Sequence, residues 1–216
     1  MRNFLVYVVA ILLANHSAIA LQPQDTCTND AMIVMDASGS MSQLFKGGNS
    51  KIEAARLAAH EVVPISSQHR RLGLLTLGPG RKEQCSNVDM VVPVQLNASK
   101  SILSVIDNIK TDGGTPLSTA LEKAAEALDY EHKKATIVVL TDGDDTCGRD
   151  TCKTAKDLKA RSSDLTIHVI GLEGGFDELK NASCIADETG GVFVDTTTYQ
   201  GLKDAMSLML LCPSIS

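Results

Sequence analysis

Ala31-Met32-Ile33-Val34-Met35 is followed directly by Asp36-Ala37-Ser38-Gly39-Ser40, and this stretch decides the fold. The first five residues are an apolar run of the length expected for a buried strand. The next five place one carboxylate and two hydroxyls on the turn that ends the strand. Such oxygen ligands suit Mg²⁺, Mn²⁺ or Ca²⁺ rather than zinc or copper. The stretch therefore indicates a buried strand that ends at a candidate site for a hard divalent cation.

Two later segments contribute further oxygen atoms. The first, Thr111 to Pro116, contains the hydroxyl of Thr115, and the second, Thr136 to Gly143, is an apolar run followed by Asp142. Each of the three segments also has a simpler explanation as a self-bonded turn, a helix cap or a turn signal. All three occur here in one chain, each at a predicted strand end or helix start. This combination favours one shared metal site.

Taken together, Asp36, Ser38, Ser40, Thr115 and Asp142 resemble the metal-ion-dependent adhesion site of von Willebrand factor A (vWA) domains. The resemblance extends from about residue 30 to residue 211. It implies an α/β, Rossmann-like fold with a central, mostly parallel six-stranded sheet and helices on both faces. It also implies one antiparallel edge strand, which here would be Val88 to Val94.

The resemblance also implies a role for each site residue. Ser38, Ser40 and Thr115 would ligate the ion directly, whereas Asp36 and Asp142 would act mostly through water and by holding the hydroxyls. Gly113 and Gly114 would let their loop approach the ion closely. An open coordination position would then attract an Asp or Glu carboxylate from a partner protein.

Alternating elements support the same fold class independently of the motif. Strands are predicted over residues 31–35, 71–77, 88–94, 136–140, 165–171 and 191–195. Helices are predicted over residues 51–68, 99–109, 116–130, 154–160, 181–189 and 201–211. Strand–helix alternation of this kind is typical of an α/β sheet covered on both faces. In such sheets ligands collect at the carboxyl ends of the strands, where Asp36 and Asp142 stand.

The first twenty residues predict a secretory signal peptide. Arg2 precedes an apolar run from Phe4 to Ala14, and Ala18-Ile19-Ala20 provides a small-residue cleavage signal before Leu21. The run is too short for a membrane-spanning helix. We therefore expect a secreted or periplasmic protein whose residues 21–216 form a single vWA domain.

Six cysteines follow the predicted cleavage point, and an exported chain with an even number of cysteines is expected to form disulfides. A zinc site is disfavoured because no C-x-x-C pair is present. Cys27 and Cys212 flank the first strand and the last helix, so we expect them to pair. The other four could pair locally, Cys147 with Cys152 and Cys85 with Cys184, or cross over.

Composition limits the classes of partner. The chain has a formal net charge of −6 and only 3% aromatic residues. It therefore lacks the basic groove and the stacking platform of a nucleic-acid binder.

The sequence predicts a binding module that holds Mg²⁺ or Mn²⁺, with Ca²⁺ less favoured, and captures an acidic side chain of a protein partner. The alternative is a magnesium-dependent hydrolase or phosphatase that uses Asp36 as its nucleophile. Enzymes of that type place another carboxylate two residues on, where this chain has Ser38. The sequence also places no lysine or histidine at the site as an acid or base. We therefore expect that the protein is not an enzyme.

Overall fold

One six-stranded sheet forms the centre of the protein in a computed structural model that describes residues 29–46, 48–80, 85–173 and 179–211. The strands in chain order are β1 (Asp30–Asp36), β2 (Leu72–Leu77), β3 (Val88–Gln95), β4 (Lys134–Thr141), β5 (Asp164–Leu172) and β6 (Phe193–Thr196). Their order across the sheet is β3-β2-β1-β4-β5-β6. Strand β3 runs antiparallel to β2 at one edge, and the other paired strands are parallel. The predicted fold class is confirmed.

Helices cover both faces of this sheet. They are α1 (Lys51–Ser66), α2 (Ser99–Ile106), α3 (Leu117–Ala127), α4 (Thr151–Arg161), α5 (Lys180–Thr189) and α6 (Tyr199–Leu210), with a short 3-10 helix at Gly39–Ser42. Side chains alternate along β1, so that Ile33 and Met35 pack with α1, α2 and α6. Met32 and Val34 point to the other face and pack with α3, α4 and α5. Strand β1 is thus buried on both faces, which explains the uninterrupted apolar run from Ala31 to Met35.

The edge strand β3 contains Pro93, which has no backbone N–H to donate. The pairing of β3 with β2 shifts register around Leu74, between the pairs Leu74–Val92 and Leu72–Gln95. Proline is tolerated at such an irregular edge position because no ladder hydrogen bond is required there. This confirms the sequence-based assignment of the edge strand.

Several helix ends differ from the predicted ones because of capping. Helix α4 begins at Thr151 rather than residue 154, since the Asp150 side chain accepts a hydrogen bond from the Lys153 backbone N–H. Helix α3 ends at Ala127, and the chain then turns through Asp129 with a left-handed φ of 56°. Periodicity alone identifies a helix but does not locate these end signals.

Among the residues that the structure describes, two disulfides join segments that are distant in sequence, Cys85 with Cys147 and Cys152 with Cys184. Of the alternatives left open by the sequence, the local pairs Cys147–Cys152 and Cys85–Cys184 are excluded, and the four cysteines exchange partners. Cys152 and Cys184 lie on α4 and α5, which pack against each other. Two predictions, the signal peptide and the pairing of Cys27 with Cys212, fall on residues outside the described ranges. Within the described ranges, no helix has the length and apolar character needed to cross a membrane.

Candidate metal centre

The five predicted site residues lie at the carboxyl end of the sheet. Asp36 ends β1, and Asp142 directly follows β4, the parallel neighbour of β1. Ser38 and Ser40 lie on the turn that leads into the 3-10 helix, and Thr115 lies just before α3. Adjacent parallel strands end at the same edge of a sheet. Segments up to about a hundred residues apart in sequence are thereby brought together.

The turn after β1 and the loop before α3 are joined through their backbones. The Gly39 N–H donates to the Gly113 carbonyl at 3.2 Å, and the Asp112 N–H donates to the Ala37 carbonyl at 2.9 Å. Gly113 has a left-handed φ of 79°, and a Cβ at this position would lie 2.1 Å from the Gly78 carbonyl oxygen. A glycine is therefore required because the loop passes close to the neighbouring backbone. The close approach expected for Gly113 was to an ion, and the one found is to the Gly78 backbone.

Asp36 is completely buried beneath the site. Its Oδ1 accepts a hydrogen bond of 2.8 Å from the Ser38 N–H, and its Oδ2 accepts one of 2.7 Å from the Thr141 hydroxyl. Burial raises the pKa of the Asp36 carboxyl to about 6, and the hydrogen bonds from Thr141 and Ser38 oppose that shift. These contacts show that Asp36 fixes the turn to the end of β4.

A chain of hydrogen bonds connects three of the predicted residues. The Ser38 and Ser40 hydroxyl oxygens are 3.1 Å apart, and the Ser40 hydroxyl donates to Asp142 Oδ1 at 2.7 Å. Ser40 has one proton to donate, so its oxygen accepts from Ser38. The turn after β1 and the loop after β4 are therefore joined by hydrogen bonds in which every donor and acceptor atom is an oxygen.

Lys51 completes the surroundings of Asp142. Its Nζ donates to Asp142 Oδ2 at 2.8 Å, and both side chains are buried. Sequence reasoning placed no lysine at the site as an acid or base, and it missed this contact of Lys51 with Asp142. Lys51 is separated from Asp142 by 91 residues, so sequence proximity gave no indication of the contact.

Thr115 links the loop before α3 to the loop after β4. Its backbone N–H donates to the Thr146 hydroxyl at 2.7 Å, and its carbonyl accepts from the Thr146 N–H at 3.1 Å. Thr115 shares a cleft of about 480 Å³ with Ser40, Lys51 and Asp142. Four groups from separate segments thus surround one open space.

Asp144 and Asp145 extend the acidic loop after Asp142, and both are engaged with helix starts. Asp145 accepts from the Ser118 N–H at 2.9 Å and from the Cys147 N–H at 2.7 Å. Asp144 accepts from the Asn181 side chain at 2.7 Å and from the Ala182 N–H at 3.0 Å. The positive ends of the α3 and α5 dipoles favour these carboxylates. This loop is held in place by hydrogen bonds.

The donor atoms gathered here are the hydroxyls of Ser38, Ser40 and Thr115 and the carboxylate of Asp142. They are all hard oxygen donors, and the set contains no sulfur or imidazole. Mg²⁺ and Mn²⁺ prefer donors of this chemistry. The residues present therefore fit a hard divalent cation.

Comparison with known proteins agrees with the fold. YwmC of Bacillus subtilis (strain 168) is 28% identical over 190 residues, which cover 82% of each chain. The PilB minor pilin of Streptococcus sanguinis superposes with a TM-score of 0.64 and 17% identity over 86% of this chain and 61% of the pilin chain. Manganese-loaded TRAP of Plasmodium vivax gives a TM-score of 0.59 and 16% identity over 86% of this chain and 74% of the TRAP chain.

At these identities the structural matches show the fold alone, and the protein spans 61% of the pilin chain. A model of the von Willebrand factor type A domain matches residues 31–144. That range covers more than half of the chain and contains all five candidate site residues. The protein therefore belongs to the von Willebrand factor type A domain family.

Proposed function

We propose that this protein binds a partner protein through a divalent cation, Mg²⁺ or Mn²⁺, held at Asp36, Ser38, Ser40, Thr115 and Asp142. The cation would leave a coordination position for an Asp or Glu side chain of the partner. Family membership supports a role in protein–protein interaction. The structurally similar TRAP protein is manganese-loaded, which supports the choice of ion.

One observation carries this proposal. The chain from Ser38 through Ser40 to Asp142 brings hydroxyl and carboxylate oxygens from two strand ends within 3.1 Å and 2.7 Å of one another. Thr115 borders the same cleft from a third segment. Polar groups that converge from separate strands onto one open cleft are typical of a ligand site.

The burial of Asp36 favours binding over hydrolysis. A nucleophilic carboxylate must reach its substrate, but Asp36 is 0% exposed and both of its oxygens accept hydrogen bonds. Lys51 is a possible proton donor in an enzyme, yet its ammonium is paired with Asp142. We therefore retain the proposal that the protein is a binding module, with the hydrolase as the alternative.

We also propose that the protein acts outside the cytoplasm. The two disulfides, Cys85–Cys147 and Cys152–Cys184, support this location because such bonds persist in oxidising compartments. The apolar N-terminal run before Leu21 supports it as well.

An affinity experiment from the native envelope tests the proposal. Partner capture by the protein should be lost in EDTA, restored by Mg²⁺ or Mn²⁺, and abolished by Thr115→Ala. Ser42→Ala is the matched control, since the exposed Ser42 hydroxyl donates to the Gly39 carbonyl outside the donor set.

Replacing the critical Asp or Glu of the captured partner by Asn or Gln should match the loss caused by chelation. The two losses should not add, because both remove the same contact. Undiminished capture in EDTA would contradict the mechanism. Metal-dependent turnover of phosphate or ester substrates that disappears in Asp36→Asn would instead establish the hydrolase.

A further inference from the structure

Lys51 occupies an unfavourable place for a lysine. It is the first residue of α1, and its side chain is 8% exposed. The positive end of the helix dipole lies there and disfavours a cation. Burial of an ammonium group is also costly unless the charge is paired. A lysine at this position therefore depends on its partner, Asp142.

The backbone of Lys51 is bonded to the segment that follows the turn carrying Ser38 and Ser40. Its N–H donates to the Gln43 carbonyl at 3.0 Å, and Leu44 forms an antiparallel bridge with Ser50. Gln43 directly follows the 3-10 helix that contains Ser40. One tight loop thus fixes both groups that contact Asp142, the Ser40 hydroxyl at its start and the Lys51 ammonium at its end.

Both oxygens of Asp142 are consequently engaged. Oδ1 accepts from Ser40 at 2.7 Å, and Oδ2 accepts from Lys51 at 2.8 Å. The site has two carboxylates, those of Asp36 and Asp142, and Lys51 offsets one of their two negative charges. Electrostatic attraction for a cation falls with each negative charge that is offset, and the effect is large in a poorly hydrated site.

We propose that Lys51 is an internal cation that weakens divalent-metal binding at this site. The inference rests on the proposed function, because it concerns the same metal. Lys51 acts on the metal indirectly, through its ion pair with Asp142, and is therefore a positioning residue. With a divalent cation bound, the site then has a larger net positive charge than it would have without Lys51. That charge favours an anionic group supplied by a ligand, in place of a further carboxylate from this chain.

Titration of the purified protein with Mn²⁺ alone, followed by calorimetry, tests the inference. Lys51→Met removes the charge and keeps a long side chain, and it should tighten Mn²⁺ binding about tenfold or more. Lys51→Arg keeps the charge and should leave the affinity within about threefold of the wild type. Lys159→Met is the matched control: it removes the same charge from a residue that donates to the Leu165 carbonyl at the start of β5, away from the site.

Unchanged or weaker Mn²⁺ binding by Lys51→Met, with wild-type binding intact, would overturn the inference and leave the proposed function standing. Absence of Mn²⁺ binding in both the wild type and Lys51→Met would overturn the proposed function itself. If Lys51→Met does not fold, the side-chain NMR signal of Lys51 in the wild type decides, with Lys51→Arg used for its assignment. That signal should shift as Mg²⁺ is added, and the concentration dependence of the shift should match the affinity of the site for Mg²⁺. A signal that does not shift would refute the role of Lys51.

Discussion

The Thr141 hydroxyl donates a hydrogen bond of 2.7 Å to Asp36 Oδ2, and this contact joins β4 to β1 where both strands end. Asp36 is completely buried, so its carboxylate depends on the few donors that reach it. Thr141 is therefore as much part of the site as the residues that face the cleft. It is the last residue of β4 and stands directly before Asp142 in sequence.

Replacing Thr141 by Val should remove this bond while nearly keeping the side-chain volume. We expect a loss of about 1.5–3 kcal/mol in the free energy of unfolding at neutral pH, because a buried carboxylate loses a donor. Urea denaturation followed by circular dichroism measures it. Thr136→Val, on the same strand at the other end, is the control and should cost less. Equal losses of unfolding free energy in the two variants would show that the hydrogen bond to Asp36 adds no stability beyond that of an ordinary threonine hydroxyl.

Mg²⁺ or Mn²⁺ should stabilise the wild-type protein against heat. At a hundredfold excess of metal over the dissociation constant, mass action gives about 2.7 kcal/mol. Ser38→Ala, Ser40→Ala and Thr115→Ala should each reduce the shift in melting temperature at a fixed metal concentration, and Ser42→Ala should not. If all three variants retain the wild-type affinity in a metal titration, the metal site has been assigned to the wrong residues.

Removal of the Cys85–Cys147 bond should affect both stability and metal affinity. The bond closes a loop with a sequence separation of 62, for which the chain-entropy model gives about 4 kcal/mol. Cys147 also donates its N–H to Asp145, and the adjacent Thr146 holds Thr115. The double variant Cys85→Ala, Cys147→Ala should therefore unfold at lower denaturant concentration and bind Mn²⁺ more weakly.

The other bond provides the control for that experiment. Cys152–Cys184 has a sequence separation of 32 and joins α4 to α5, so its loss should cost a similar amount of stability. Its cysteines lie outside the cleft, and metal affinity should change less than in the first double variant. A larger change on breaking Cys152–Cys184 would contradict the role given to Cys147 and its neighbours.

His168 should make the protein less stable in mild acid. Its Nδ1 accepts a hydrogen bond of 3.1 Å from the Val192 N–H, which requires that nitrogen to be unprotonated. Burial lowers the pKa of His168 below 6.5, and the charge of Arg70 lowers it further. As the pH falls below 6.5, the unfolded chain therefore binds a proton that the folded protein does not, and the free energy of unfolding falls until the folded-state pKa is passed.

Asp36 titrates in the opposite sense, so a variant is needed to isolate His168. The pKa of Asp36 is raised to about 6, and its contribution to the stability of the metal-free protein is lost as the pH rises through that value. His168→Gln keeps an acceptor without a titrating group. Its stability relative to the wild type, measured by urea denaturation at pH 5 and pH 8, should improve at the lower pH. A difference that does not change with pH would show that His168 has an ordinary pKa.

The sheet was predictable because its strands are buried. Strand β1 packs on both faces, so its middle, residues 31–35, is apolar without interruption, and the same holds for residues 137–140 of β4. Once both strands are assigned, their parallel pairing places Asp36 and Asp142 at the same edge. Ser38 and Ser40 follow Asp36 in sequence, and Thr115 was added by the resemblance to vWA domains. Metal binding by these five residues is still a prediction.

Contacts set by loop geometry were not predictable in this way. Lys51 reaches Asp142 because the Leu44–Ser50 bridge directs the start of α1 toward the site. The cysteine pairs likewise depend on which loops and helices are neighbours in space. The residues that flank a cysteine or a lysine in sequence do not indicate which distant segment it lies near in the fold. Only the unusual position of a lysine at a helix start, inside the capping box formed by Ser50 and Glu53, offered a signal for Lys51.

The central position of β1 has a consequence for how the protein is made. One side of β1 pairs with β2, but the other side pairs with β4, which begins at Lys134. Until the ribosome has synthesised β4, a nascent chain presents a strongly apolar strand with one unpaired edge. Such edges recruit strands from other chains, and pairings across long sequence separations form slowly. A chain truncated before Lys134 should therefore accumulate as insoluble protein, whereas the chain that includes β4 and β5 should remain in the soluble fraction.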